Sequence, residues 1–409
     1  MTIFFDGNIV KWKDLENFAG AGKREDLGLS DPSAIFGFRN TYAAAPVVAN
    51  PSFYFEETGK ITTDAIDWDA TKNRLEEIHK HGMGTAFPMD TAQRGSEITG
   101  WKLVEPLITL NIDVAKSFGN PERAMCGAGV ELAGDLESCS LDDVIGSYVQ
   151  QAKFIQDLGG TVILFPNTVF PRRFPEQKHY KQFIDGVLRR VQQPVYLHWL
   201  GKQFNPEMEN YWGFGNIWDA ARNTVVPLME SHKSKIKGIK LSTLDEKFEK
   251  WLRVEIAKTG QFVLTGDDLN FRDLIRGQEG YFSHALLGIL GGTYRVAAKA
   301  LEYLKNGDEK SYERLMAPLE KLSRKIFEDP TWYYKIGLTF FAYLNGDQKH
   351  FQMVGGIQGH RSIPHLVELF NLAEQAQVLK DPSEALSRFK PILNLGGYDL
   401  GQLPKKQWY

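Results

Sequence analysis

The stretch "SKIKGIKLSTLD", residues 234–245, sets Lys237 and Lys240 among Ile, Gly and Leu. Its core, "IKGIKLS", reads as a strand. Side chains alternate along a strand, so Ile236, Gly238 and Lys240 share one face while Lys237, Ile239 and Leu241 share the other. An unpaired ammonium is costly to bury, and a buried lysine gives up its proton more readily than one in water. The free amine can attack a carbonyl carbon and form a Schiff base, which draws electrons from neighbouring bonds. Lys240 is therefore a candidate catalytic amine. The plainer reading is a strand-end lysine whose ammonium reaches solvent or a carboxylate. Asp267 and Asp268, which close "GQFVLTGDD" (260–268), read either as turn formers at Gly266 or as site residues.

A lysine needs a scaffold to hold it. Short apolar runs recur along the chain: "TYAAAPVVAN" (41–50), "GTAFPMD" (84–90), "RAMCGAGVE" (123–131), "TVILFPN" (161–167), "PVYLHWL" (194–200), "IKGIKLS" (236–242), "GQFVLTGDD" and "YFSHALLGILGG" (281–292). Helical patterns separate them, among them 67–82, where Trp68, Leu75 and Ile78 share a face, 141–160 and 178–193. Continuous apolar strands alternating with amphipathic helices predict a parallel sheet covered by helices. No glycine-rich phosphate fingerprint opens a helix after the first run, which argues against a doubly wound dinucleotide fold. The pattern predicts an α/β chain: a (β/α)8 barrel over 40–292, a short N-terminal extension over 1–39 and a C-terminal helical region over 293–409. In such barrels active sites gather at the C-terminal ends of the strands, and Lys240 stands near the end of the sixth.

Residues 40–292 resemble the dihydrodipicolinate synthase and N-acetylneuraminate lyase superfamily of class I aldolases. "IDWDATKNRLEEIHKHGMG" resembles its first helix, "IKGIKLS" its Gly-Ile-Lys motif, and "FVLTGDD" the Gly-Asp-Asp turn after its seventh strand. "MDTAQRG" is similar to a branch described only as a domain of unknown function. The resemblance implies that Lys240 makes the Schiff base, that no dissociable cofactor is needed, and that Asp267 contacts polar substrate groups. It also implies a homo-oligomer, a dimer or tetramer.

The chain departs from that pattern in places. Where the superfamily holds a 2-oxo acid carboxylate with paired threonines, Thr91 keeps the first, Ala92 replaces the second and Asp90 replaces a glycine. Where it carries a proton-shuttling tyrosine, "PVYLHWLG" offers His198, followed by Trp199. An imidazole titrates near neutrality and suits general acid–base work; the alternative is a buried histidine bonded to a backbone carbonyl. Tyr196, two residues earlier on the same face, is the second candidate. Gln203, beside Lys202, holds the place of an arginine that binds a distal carboxylate. Arg172 and Arg173 are loop arginines that either bind an anion or face solvent. The aromatics of 199–218 either line the mouth or cover the barrel top. "GGIQGHRSIP", with His360 and Arg361, resembles a C-terminal superfamily segment.

Three function classes follow. The leading one is a Schiff-base lyase, an aldolase or hydro-lyase acting on a small carbonyl compound such as a 2-oxo acid or keto-sugar derivative. The second is a divalent-metal barrel enzyme using His198, Asp267, Glu131 and His284. The third is a non-catalytic small-molecule-binding barrel. Composition narrows the partners: hydrophobic residues make 43%, charged residues 24% and the net charge is -3, with no basic excess for nucleic acid. Two cysteines suit a reducing, cytoplasmic setting. No window is apolar for the ~18 residues that a membrane helix needs.

Overall fold

A computed structural model describes residues 24–53, 61–88 and 93–398 in full, and the backbone of 2–6 and 9–13. Near the N-terminus, β1 (Thr2–Asp6) and β2 (Ile9–Lys13) form an antiparallel hairpin. Eight parallel strands then close a barrel: β3 (Thr41–Ala43), β4 (Gly84–Ala86), β5 (Ala124–Ala128), β6 (Thr161–Leu164), β7 (Val195–Leu200), β8 (Ile236–Ser242), β9 (Phe262–Thr265) and β10 (His284–Leu287). β10 pairs with β3 to complete the ring. Each of the eight apolar runs holds one strand, as the sequence predicts. Among the described residues no helix is long and apolar enough to cross a membrane.

The strands are buried on both faces, which is why they read as unbroken apolar runs. Tyr42, Met125, Ile163, Tyr196, Leu264 and Leu286 fill the lower barrel interior. Val195, Leu197, Ile239, Leu241 and Val263 face outward and pack against Leu75, Ile108, Val144, Ile184 and Phe248 of the surrounding helices. The helices start where their caps demand. Asp67 accepts from the amide of Ala70 ahead of Trp68–Lys80, and Ser140 with Asp143 forms a capping box ahead of Leu141–Asp157.

One irregularity sets the site. Val195 pairs with Ile236, but Tyr196 pairs with Gly238, so Lys237 is an extra residue in β8, a bulge. Lys237 is exposed there. Ile236 joins the outward-facing cluster with Ile239 and Leu241 and does not share the inner face with Gly238 and Lys240. That corrects simple alternation at the first residue of the strand only. From Gly238 onward the alternation holds and aims Lys240 and Ser242 inward.

From Gly288 to Tyr398 the chain contains no strand. Helix Leu290–Lys305 packs on the barrel, and helices Glu309–Ile326, Tyr334–Leu344, Ile363–Gln375 and Pro382–Leu395 follow. Tyr334–Leu344, "YKIGLTFFAYL", is apolar nearly all round, and such a helix is stable only when enclosed. The turn between Ile326 and Thr331 is gathered by one side chain. Arg361 donates to the carbonyls of Ile326 (3.4 Å), Glu328 (2.7 Å), Asp329 (3.1 Å) and Pro330 (3.0 Å). Ser323 Oγ ties the same helix to the carbonyl of Asp268 at 2.6 Å. Arg361→Ala strands those carbonyls and is expected to lower unfolding stability by about 2–3 kcal/mol, the scale of charge-assisted bonds. Urea titration checks this; an unchanged midpoint contradicts the clasp.

Candidate active site

The ends of four neighbouring strands converge at the barrel mouth. β7 supplies His198, β8 supplies Lys240 and Ser242, and the turns after β9 and β10 supply Gly266, Asp268 and Gly288. His198 and Lys240 are register partners across the β7–β8 pair, and Leu200 pairs with Ser242. These residues enclose a cavity of ≈ 20 Å³, roofed by Phe204, Phe327 and Tyr334. Phe327 stacks on Tyr334 with centroids 4.4 Å apart, and Phe204 meets Phe327 edge-on at 6.4 Å.

Lys240 is buried, 8% exposed. Close approach explains the glycine beside it. A Cβ on Gly266 would fall 2.1 Å from Ser242 Oγ and 2.9 Å from Lys240 Cε, so any side chain there would push the lysine aside. Gly266 thus serves the site through the room it leaves. Gly288 does the same for the roof: a Cβ there would meet the Tyr334 ring at 2.6 Å and the Phe327 ring at 2.8 Å.

His198 is buried, with Nε2 3.4 Å from Ser242 Oγ and Nδ1 without a partner. Burial first, and the neighbouring Lys240 cation second, push the imidazole well below its ordinary pKa. It is neutral at neutral pH and can accept a proton. Ser242 was not singled out by sequence reasoning, although its place two residues after Lys240 on one strand is a readable signal.

The two acids of the β9 turn divide their tasks. Asp267 is used by its own turn: Oδ1 accepts from the amides of Leu269 (2.9 Å) and Asn270 (3.1 Å), and Oδ2 from Asn270 Nδ2 (2.8 Å). Asp268 is the acid that lines the cavity. It accepts from the amides of Ile289 (2.9 Å) and Gly288 (3.3 Å). Burial pushes its carboxyl up to about 7, against the pull of those amides and the Lys240 cation.

Other candidates fall elsewhere. Tyr196 lies one layer below His198 in the apolar barrel interior, and burial raises its phenol. Trp199 points outward, by alternation, against Trp212 and Phe248. Lys202 pairs with Glu209 at 2.6 Å on the surface, and Gln203 is exposed beside it. Asp90 and Thr91 lie outside the described residues. Arg172 is paired with Glu207, and Arg173 donates to the carbonyls of Leu136 and Cys139. Of the loop aromatics, Phe204 reaches the cavity, while Tyr211 and Trp212 pack on Tyr180. The four residues of the metal reading do not meet. His284 opens β10 at the far end of the barrel, with Nδ1 accepting from the Asn40 amide, and Glu131 is bound to Arg94 at 2.6 Å. Among the described residues no cluster of three or more metal-ligating side chains occurs.

The roof is what sequence reasoning missed. Phe327 and Tyr334 come from the helical region, and no strand or motif marks them. His360 stacks on Tyr333 at 4.5 Å, so "GGIQGHRSIP" supports the roof from behind, together with the Arg361 clasp.

The barrel fold is shared with solved dihydrodipicolinate synthases. Dihydrodipicolinate synthase from Acinetobacter baumannii, solved with pyruvate, matches with TM-score 0.56 at 16% identity, over 84% of this chain and 100% of that one. The Aquifex aeolicus synthase matches with TM-score 0.56 at 13% identity, over 84% of this chain and 100% of that one. A variant of 2-keto-3-deoxygluconate aldolase from Sulfolobus solfataricus matches with TM-score 0.50 at 14% identity, over 82% and 99%. No curated protein sequence matches the chain. Residues 19–398 match the model of a family described as protein of unknown function (DUF993), and the chain belongs to that family.

The environment of His198 makes a direct prediction. Its ring should stay neutral, with no titration step between about pH 6.5 and 8 by nitrogen NMR. A midpoint at or above the ordinary 6.5 contradicts the burial described.

Proposed function

We propose that the protein is a Schiff-base-forming lyase, an aldolase or hydro-lyase, acting on a small carbonyl compound. The observation that carries this is the grouping of buried Lys240 with neutral His198 and Asp268 around one small cavity. In the proposed sequence the Lys240 amine adds to the substrate carbonyl carbon, and the carbinolamine loses water to give an iminium. For aldol cleavage, His198 takes the proton of the substrate's β-hydroxyl. The C–C bond breaks and its electrons move to the iminium nitrogen, leaving an enamine. His198 then returns the proton to the enamine carbon, and water releases the second product. For dehydration His198 takes the α-proton of the iminium to give the enamine. The enamine's electrons expel the β-hydroxyl, which leaves as water with that proton, and hydrolysis of the new iminium frees Lys240. Asp268 faces the positive nitrogen throughout, where a carboxylate stabilises the iminium. No dissociable cofactor enters this scheme.

A cavity of ≈ 20 Å³ has room for about one water. Substrate must therefore displace the roof. A cleft of ≈ 480 Å³ adjoins it, lined by Glu131, Phe165, Asn167 and Asn205. Phe165 is the partition, its ring 6.3 Å from that of His198. The Acinetobacter synthase is solved with pyruvate, so 2-oxo acids, with keto-sugars, are the first compounds to test.

The experiment is a turnover screen of those compounds. At least one should be cleaved or dehydrated by the wild type, and Lys240→Ala should abolish that turnover. His198→Phe should slow it by about a hundredfold or more. Full activity in Lys240→Ala overturns the proposal.

A further inference from the structure

Away from the barrel mouth, a cavity of ≈ 360 Å³ opens between helix Trp68–Lys80, helix Leu290–Lys305 and the segment around Asn345–Lys380. Two arginines face it. Arg74 is 7% exposed; its Nη2 donates to Gln348 Oε1 at 2.7 Å, and its Nη1 is buried with no partner. Arg295, half-buried on the neighbouring helix, also has a buried Nη1 without a partner. Among the described residues neither guanidinium has a carboxylate within ion-pair distance.

The acids that line the cavity are committed to other cations. Glu77 pairs with Lys80 at 2.8 Å, and Asp347 pairs with Lys380. Gln348, the one neutral partner of Arg74, spends its amide on the carbonyls of His350 (2.9 Å) and Gln352 (3.1 Å). A buried guanidinium with an unused donor is costly unless an anion completes it, and a planar fork suits carboxylate and phosphate oxygens. Burial lowers the Arg74 pKa only to about 10, so its charge persists at neutral pH.

We propose that this cavity is a binding site for the oxyanion group of a small molecule, a phosphate or a carboxylate, held between Arg74 and Arg295. The site is separate from Lys240 and does not depend on the proposed chemistry there. It joins the barrel to the C-terminal region, so a bound oxyanion ties the two together and stabilises the folded chain.

The test is calorimetry and thermal unfolding of the full chain with inorganic phosphate and, separately, malonate, against sodium chloride at equal ionic strength. At least one oxyanion should bind saturably, one per chain, and raise the melting temperature. Phosphate binding assigns a phosphorylated ligand; binding of malonate alone assigns a carboxylate. Arg295→Gln, which loses no bond in the free protein, should keep the unliganded melting temperature and weaken binding tenfold or more. Lys240→Ala should bind as the wild type does. The proposal is overturned if neither oxyanion exceeds the chloride control, or if Arg295→Gln binds with unchanged affinity.

Discussion

A lysine taken out of water must meet a compensating group or give up its proton, and the barrel mouth is arranged around that constraint at Lys240. The bulge at Lys237 lets the first lysine stay exposed while the second turns inward. Gly266 leaves the space that the Lys240 stem and the Ser242 hydroxyl occupy. Asp268, held by the amides of Gly288 and Ile289, sets a carboxyl within the field of the ammonium. His198 is kept neutral by the same burial. Changing the phase of β8 by one residue would undo all of these together.

The C-terminal region completes the enclosure. A bare barrel mouth would leave Lys240 open to solvent; here the Phe327–Tyr334 stack covers it, and Gly288 permits the close approach. The roof is fixed from outside by Arg361 and Ser323 and from the side by Phe204. For the proposed chemistry, these stacked rings are the part of the enclosure that has to move to admit a ligand.

Much of this was legible in the sequence. Eight apolar runs separated by amphipathic helices carried the barrel, because strands buried on both faces leave an unbroken apolar trace. The inward aim of Lys240 followed from period-two alternation, although the bulge moved Ile236 to the outer layer. The choice between Asp267 and Asp268 was not legible, since it depends on which carboxyl the turn amides capture. The outward aim of Trp199 was legible, since alternation sets it opposite Tyr196 and His198 on β7, but its packing against Trp212 and Phe248 was not. The roof was hidden most completely. Phe327 and Tyr334 stand 87 and 94 residues beyond Lys240, and only tertiary packing brings them back to the mouth.

The most direct test of the account is covalent. The wild-type chain should be incubated with each of a panel of 2-oxo acids and keto-sugars, reduced with borohydride and mapped by peptide mass spectrometry. A reduced adduct of the carbonyl compound on Lys240, absent without borohydride, is the predicted result. Adducts confined to exposed lysines such as Lys237, or none with any compound that the protein turns over, would contradict the central role given to Lys240.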